Sequence, residues 1–276
     1  MIMNGIKIST PILMTVLLSG CLENRNNTDK LCNDNPGLRC EKLNVNDGQC
    51  RLPRTDLIWH RFEVLKNPTV DNKLEEYRLV QHYRQCLELA SQIQVVNDPL
   101  LTQNRFNALV HSGEELDRLT KELRQMRTPH ALYFLWSQTG DNIARREFLR
   151  MEGSPELDTA EMQYALATFY ISRDREKTIQ LLTRALELSS PRAINTEIFQ
   201  SLASTHQALG HQELAYLWAM VGKQFDVPVA PPAEMALLYP FNAEQFQQLD
   251  NQANQLARTI RQGEFSRHSV PSFDGH

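Results

Sequence analysis

Five cysteines are the residues of this chain best placed to do chemistry. Cys21 follows Leu18-Ser19-Gly20 and a short apolar run that reaches back to Ile8, with Lys7 ahead of it. That run is too brief to cross a bilayer and reads as a secretory signal, with the cut expected between Gly20 and Cys21. Cys32, Cys40, Cys50 and Cys86 remain. In an exported chain disulfides persist, and four cysteines allow three pairings among which sequence does not choose. Three of them lie in a short polar segment, while Cys86 falls on the helical stripe Leu79, Tyr83, Cys86, Ala90, Ile93. It reads equally as a free core thiol and as a staple between that segment and the helix.

Other groupings carry less. His82 and Cys86 share a helix face, but two ligands make a weak site and the neighbouring Tyr83 argues for packing, so no metal is predicted. Asn44, Asn46, Asp47 and Gly48 lack the opening acid and distal glutamate of a calcium loop and read as a turn. Leu57-Ile58-Trp59-His60-Arg61-Phe62-Glu63 mixes aromatic and ionisable groups and is read first as a docking surface for the cysteine segment. Ser112-Gly113-Glu114-Glu115 looks like a capping box that starts a new helix, with its acids facing the helix dipole. No His-Glu-x-x-His, Gly-x-Ser-x-Gly, Cys-x-x-Cys or Walker phosphate loop is present. Neither a catalytic residue nor a cofactor is predicted.

The elements that must position these residues follow from composition and rhythm. Leu18-Ser19-Gly20-Cys21 resembles the bacterial lipobox, and that resemblance implies a signal peptide over residues 1–20 and an acylated Cys21 at the mature N-terminus. In such lipoproteins an Asp after the lipidated cysteine favours inner-membrane retention; Leu22 stands there instead, which implies the periplasmic face of the outer membrane. Several acyl chains anchor a protein at about 0.8 kcal/mol per buried methylene without a basic patch. Removing residues 1–20 takes away Lys7 and leaves 28 basic against 33 acidic side chains, so no cationic surplus serves a nucleic acid. Residues 21–31 read as a flexible tether and residues 32–66 as a small cysteine-containing cap. Residues 67–265 read as an all-α domain and residues 266–276 as a disordered tail.

Proline sets the helical rhythm. Pro68, Pro99, Pro129, Pro155, Pro191 and Pro228 divide the domain into pieces the length of a helical hairpin. In the second piece Phe106, Leu109 and Val110 are expected on one apolar face, and Leu116, Leu119, Leu123 and Met126 on the next. Later the residues recur: Leu132, Leu166 and Leu202; Trp136, Tyr170 and His206; Gly140, Asp174 and Gly210. Their spacing of 34 and then 36 residues is that of stacked helix pairs. Over about residues 130–228 the chain resembles tetratricopeptide repeats, through Leu166-Ala167, Tyr170, Ala185-Leu186-Glu187-Leu188, Leu202-Ala203, Gly210, Ala215 and Ala219. Non-repeat helical packing stays open beside it.

That resemblance implies a groove lined by the first helix of each pair: His130, Phe134 and Gln138, then Tyr164, Thr168 and Ile171, then Gln200, Ser204 and Gln207. None is Lys or Arg, so clamping of a peptide carboxylate is not expected, and an apolar, amide-contacting segment fits better. The proline-rich segment Val229–Tyr239 is a candidate to fill the groove from within. A last helix, capped by Asn242 with Gln245, should close the stack through Phe246, Leu249, Ala253, Leu256 and Ile260.

Through Leu38-Arg39-Cys40, Asp47-Gly48-Gln49-Cys50 and the stretch from Pro53 to Phe62, the chain also looks like an uncharacterised family of gammaproteobacterial lipoproteins. That likeness implies an envelope lipoprotein and no activity. The leading expectation is a lipid-anchored, non-enzymatic scaffold that binds another envelope protein. The alternative is an envelope hydrolase or ligand-binding lipoprotein with a site near Trp59, His60 and Glu63.

Overall fold

The structure, a computed structural model, describes residues 28–93 and 98–273. The signal segment, Gly20, Cys21 and the tether up to residue 27 lie outside the described residues. The described chain is all-helical, without a strand, and none of its helices is long and apolar enough to cross a membrane. It divides into two compact units, residues 1–119 and 120–276.

The first unit holds α1 (Thr28–Asp34), α2 (Arg51–Lys66), α3 (Val70–Ala90) and most of α4 (Pro99–Met126). The last residues expected in the tether therefore belong to α1. Between α1 and α2 the chain makes two short 3-10 turns, Pro36–Leu38 and Cys40–Lys42. Arg39 and Cys50 take left-handed backbone angles there, with φ of 56° and 57°. Side chains disfavour that region; Cys50 is held there by its own disulfide, and Arg39 directly precedes the bonded Cys40. Cys32 pairs with Cys40, and Cys50 with Cys86, whose Cα atoms are 5.7 Å apart. The staple reading of Cys86 is the one observed, and a bonded sulfur is no metal ligand.

Helix α3 follows Pro68 and is capped by Thr69, whose hydroxyl accepts from the Asn72 amide. Its buried stripe is Leu74, Tyr77, Val80, Tyr83, Leu87 and Ala90. The expected stripe is thus rotated: Leu79 and Cys86 are half-buried and Ile93 is exposed. Cys86 sits at the edge, where it can reach Cys50.

Helix α4 corrects a second expectation. Pro99–Met126 is one unbroken helix, and Ser112 starts nothing; its hydroxyl donates to the Leu109 carbonyl at 2.6 Å. Gly113 stays helical, where a Cβ would lie 3.0 Å from the Arg84 guanidinium. Phe106 and Val110 are exposed, and the buried face carries Arg105, Ala108, Ser112, Glu115, Leu119 and Leu123. Polar groups on that face disguise it from a count of apolar residues.

The second unit continues with α5 (Pro129–Thr139), α6 (Asn142–Arg150), α7 (Ala160–Tyr170), α8 (Arg175–Leu188), α9 (Glu197–Leu209) and α10 (Gln212–Lys223), then α11 (Pro232–Leu238) and α12 (Ala243–Gln262). α5 packs on α6, α7 on α8 and α9 on α10; α5 also meets α7, α8 meets α9, and α12 lies on α10. Leu132, Leu166 and Leu202 are all buried. The turn positions explain themselves: Gly140 and Gly210 end their helices at φ of 68° and 80°. Asp174 stands at the same offset with φ of −148° and instead caps α8, accepting from the Lys177 amide at 3.0 Å.

Asn242 and Gln245 form the expected capping box on α12, which buries Leu249, Ala253, Leu256 and Ile260. Beyond Gly263 the described chain is held rather than loose. Phe265 meets Trp218, the Arg267 amide donates to Glu187, and Phe273 packs against the buried cluster of Ala215, Tyr216, Met235, Tyr239 and Leu249. Two phenylalanines supply the buried area that the Ser, His and Pro content of this stretch obscures.

Candidate functional site

Helix α9 turns two faces in opposite directions. Ile198, Phe199, Leu202, Thr205 and His206 are buried, while Gln200, Ser204 and Gln207 are exposed at helical spacing on the other side. These three, with Ala203, line one wall of a cavity of about 290 Å³. The opposite wall is the chain leaving α10: Val227 to Ala230, then Met235, Leu238 and Tyr239. The floor is Phe199 with Trp218, Ala219 and Gly222 of α10. Small residues make this space.

The segment proposed to lie back on the groove therefore borders its last three positions. α11 has one buried residue, Met235, and Tyr239 follows it into a cluster with Tyr216, Phe241 and Phe246. A second cavity, of about 270 Å³, lies along the same segment and is lined by Tyr216, Lys223, Pro232, Phe246 and Asp250 among others. Tyr216 donates to Asp250 at 2.9 Å; burial and then that carboxylate push its phenol above the ordinary range.

The other groove positions divide. Phe134 is buried, so it belongs to the core and presents nothing to a partner. Gln138 and Ile171 are exposed. His130 lies 3.3 Å from Glu161. Tyr164 donates to Glu197 at 2.6 Å, and burial with that bond raises its phenol pKa. Thr168 is half-buried and donates to the Ala165 carbonyl at 2.7 Å.

Near Trp59 the ionisable groups are spent locally. His60 Nε2 lies 2.8 Å from the Asn72 carbonyl and must carry the proton, because a carbonyl only accepts. Glu63 is exposed and pairs with Lys66 one turn on. What this helix does bury is Arg54, Leu57, Ile58, Arg61 and Val64.

Arg61 leads to groups that local reading missed. Its guanidinium donates to Glu115 at 2.8 Å and lies 3.3 Å from Glu76, and all three residues are buried. Arg39 and Arg118 close the network at 2.7 Å from Glu115 and 2.9 Å from Glu76. Burial pushes Arg61 below its ordinary pKa against the pull of Glu115 and Glu76. Glu115 is thus a core ligand of arginines rather than a helix-dipole acid. Close by, Asp47 receives Arg105 at 2.5 and 3.2 Å, the Gln49 amide at 2.9 Å and Asn44 at 2.9 Å. Burial raises its carboxyl, but these donors outweigh it and hold the pKa below the usual carboxylate value. Among the described residues no three His, Cys, Asp or Glu side chains are grouped to hold a metal.

A family model described as a protein of unknown function (DUF2989) matches residues 18–220. The chain belongs to that family. The DUF2989 region takes in all five cysteines and runs to Met220 within α10, so α9 is inside it while α11 and α12 lie beyond. No curated protein and no solved structure matches the chain.

Proposed function

We propose that this DUF2989 protein is a lipid-anchored envelope protein, held by Cys21 at the periplasmic face of the outer membrane, that serves as an assembly scaffold through a groove of tetratricopeptide-like helix pairs. The observation that carries the reading is the α9 stripe: Gln200, Ser204 and Gln207 are exposed, uncharged and set beside an apolar cavity. Supporting it are three helix pairs packed in sequence order and contacts between successive pairs. Two disulfides suit an oxidising compartment, and the family region includes the Leu18-Ser19-Gly20-Cys21 segment.

A photocrosslinking residue placed at Gln200 or Gln207 of the full-length protein in living cells tests this. The same envelope protein should be captured from both positions and not from Arg258, exposed on α12. Cys21→Ser should release the chain from the membrane fraction. Equal capture from Arg258, or no groove adduct, would remove the scaffold reading.

A further inference from the structure

The cavity behind α9 has a composition that selects its occupant. None of the described residues lining it is charged, so among them an ionised group would find no counter-charge. Apart from Gln200, Ser204 and Gln207 its lining is aliphatic or aromatic, with Ala203, Ala219 and Gly222 as its small residues. A Cβ on Gly222 would lie 3.1 Å from Phe199 Cβ and 3.4 Å from Val227 Cβ, so this close approach of α10, α9 and the returning chain depends on glycine. At about 290 Å³ the space lies at the small end of ligand pockets, the right scale for a group rather than a whole large ligand.

Three further features adjoin it. Gln200, Ser204 and Gln207 edge the cavity with amides and a hydroxyl that both donate and accept, the complement of a peptide backbone. Trp218, which lines the cavity, is 1 % exposed, and among the described residues its indole N–H has no hydrogen-bond partner. Leu238 lines the cavity while 57 % exposed, and Leu237 beside it is 88 % exposed, so apolar surface continues outward onto α11.

We propose that this cavity is an anchor pocket for one apolar side chain of a neutral peptide segment from a partner protein, whose backbone is held by Gln200, Ser204 and Gln207. The proposal rests on the reading of α9 as a partner-facing helix and specifies what that helix recognises. Leu237 and Leu238 give the flanking residues of the segment an apolar surface to cover.

The chain has three tryptophans, so full-length protein labelled with 5-fluorotryptophan reports on the pocket directly, with Trp218→Phe identifying the resonance. The probes are N-acetyl-Val-Leu-Val-amide and N-acetyl-Val-Glu-Val-amide. The leucine peptide should shift the Trp218 signal saturably, and the glutamate peptide should bind at least tenfold more weakly. Ala203→Phe, which fills the cavity, should weaken the leucine peptide at least tenfold. Should that variant not fold, Gln200→Ala with Gln207→Ala alters only exposed side chains and should weaken it severalfold. An unmoved Trp218 signal, equal response to both peptides, or indifference to these substitutions would overturn the pocket. Groove-dependent crosslinking without a Trp218 response would remove the pocket and leave the scaffold; the reverse would keep the pocket and remove the scaffold.

Discussion

The two units of this chain solve the same problem by different means. The first, with an irregular segment between α1 and α2, has little regular surface to bury there and relies on two disulfides and buried ions: Arg61 with Glu76 and Glu115, and Asp47 with Arg105. The second is built from helix pairs that bury Leu132, Leu166 and Leu202 and a run of aromatic contacts, such as Trp136 on Phe148 and Phe199 on Phe225. Ion pairs there, such as Arg184 with Asp158 and Arg124 with Asp141, keep their arginine exposed, where about 1 kcal/mol or less is at stake. Paired helices let apolar packing suffice; irregular chain needs ties whose loss is severe.

The sharpest way to break this contrast is Glu115→Gln. It leaves Arg61 buried with one carboxylate partner instead of two, and loss of a buried partner costs about 3–5 kcal/mol. Hydrogen exchange should lose protection in residues 28–119 while residues 120–273 keep theirs; equal loss in both would end the distinction.

Cys50→Ser with Cys86→Ser comes next. It opens a loop of sequence separation 36, for which about 4 kcal/mol of stabilisation is expected, less where the native bond is strained. Urea unfolding should move in the first unit alone.

The smallest effect is expected in the second unit and depends on pH. His206 is buried, and burial followed by the charge of His211 lowers its pKa to about 4 from 6.5. The fold favours neutral imidazole, so this contribution is complete above about pH 6.5 and is lost as pH falls toward 4, up to about 3 kcal/mol in all. His206→Phe, which restores an aromatic at the position of Trp136 and Tyr170, should flatten that dependence in thermal unfolding between pH 7 and 4. A curve unchanged in slope would assign the acid sensitivity elsewhere.

What could be read beforehand follows the same divide. In the second unit the signals are local or periodic: Pro129 opens α5, Asn242 with Gln245 caps α12, and leucines recur with the helix pairs. In the first unit the decisive pairs are remote. Arg61 is 54 residues from Glu115 and Asp47 is 58 from Arg105, and no short-range pattern joins such partners. Glu115 was further masked by Ser112, three residues before it, which imitates a helix start. The anchor pocket was half legible. Gln200, Ser204 and Gln207 follow from the resemblance to tetratricopeptide repeats, and the returning segment as a neighbour from its proline-rich, apolar composition. Trp218 and Gly222 do not, because the space they leave is set by how closely three pieces of chain approach.

The pairing of Cys32 with Cys40 and of Cys50 with Cys86 has a consequence for biosynthesis. Read from the N-terminus, each cysteine of the four joins its immediate neighbour in order of appearance. A chain oxidised progressively as it emerges forms its first bond before Cys50 arrives and leaves Cys50 waiting for Cys86. Native connectivity is then reached by an oxidant alone, without the seconds-to-hours reshuffling that crossed pairings require.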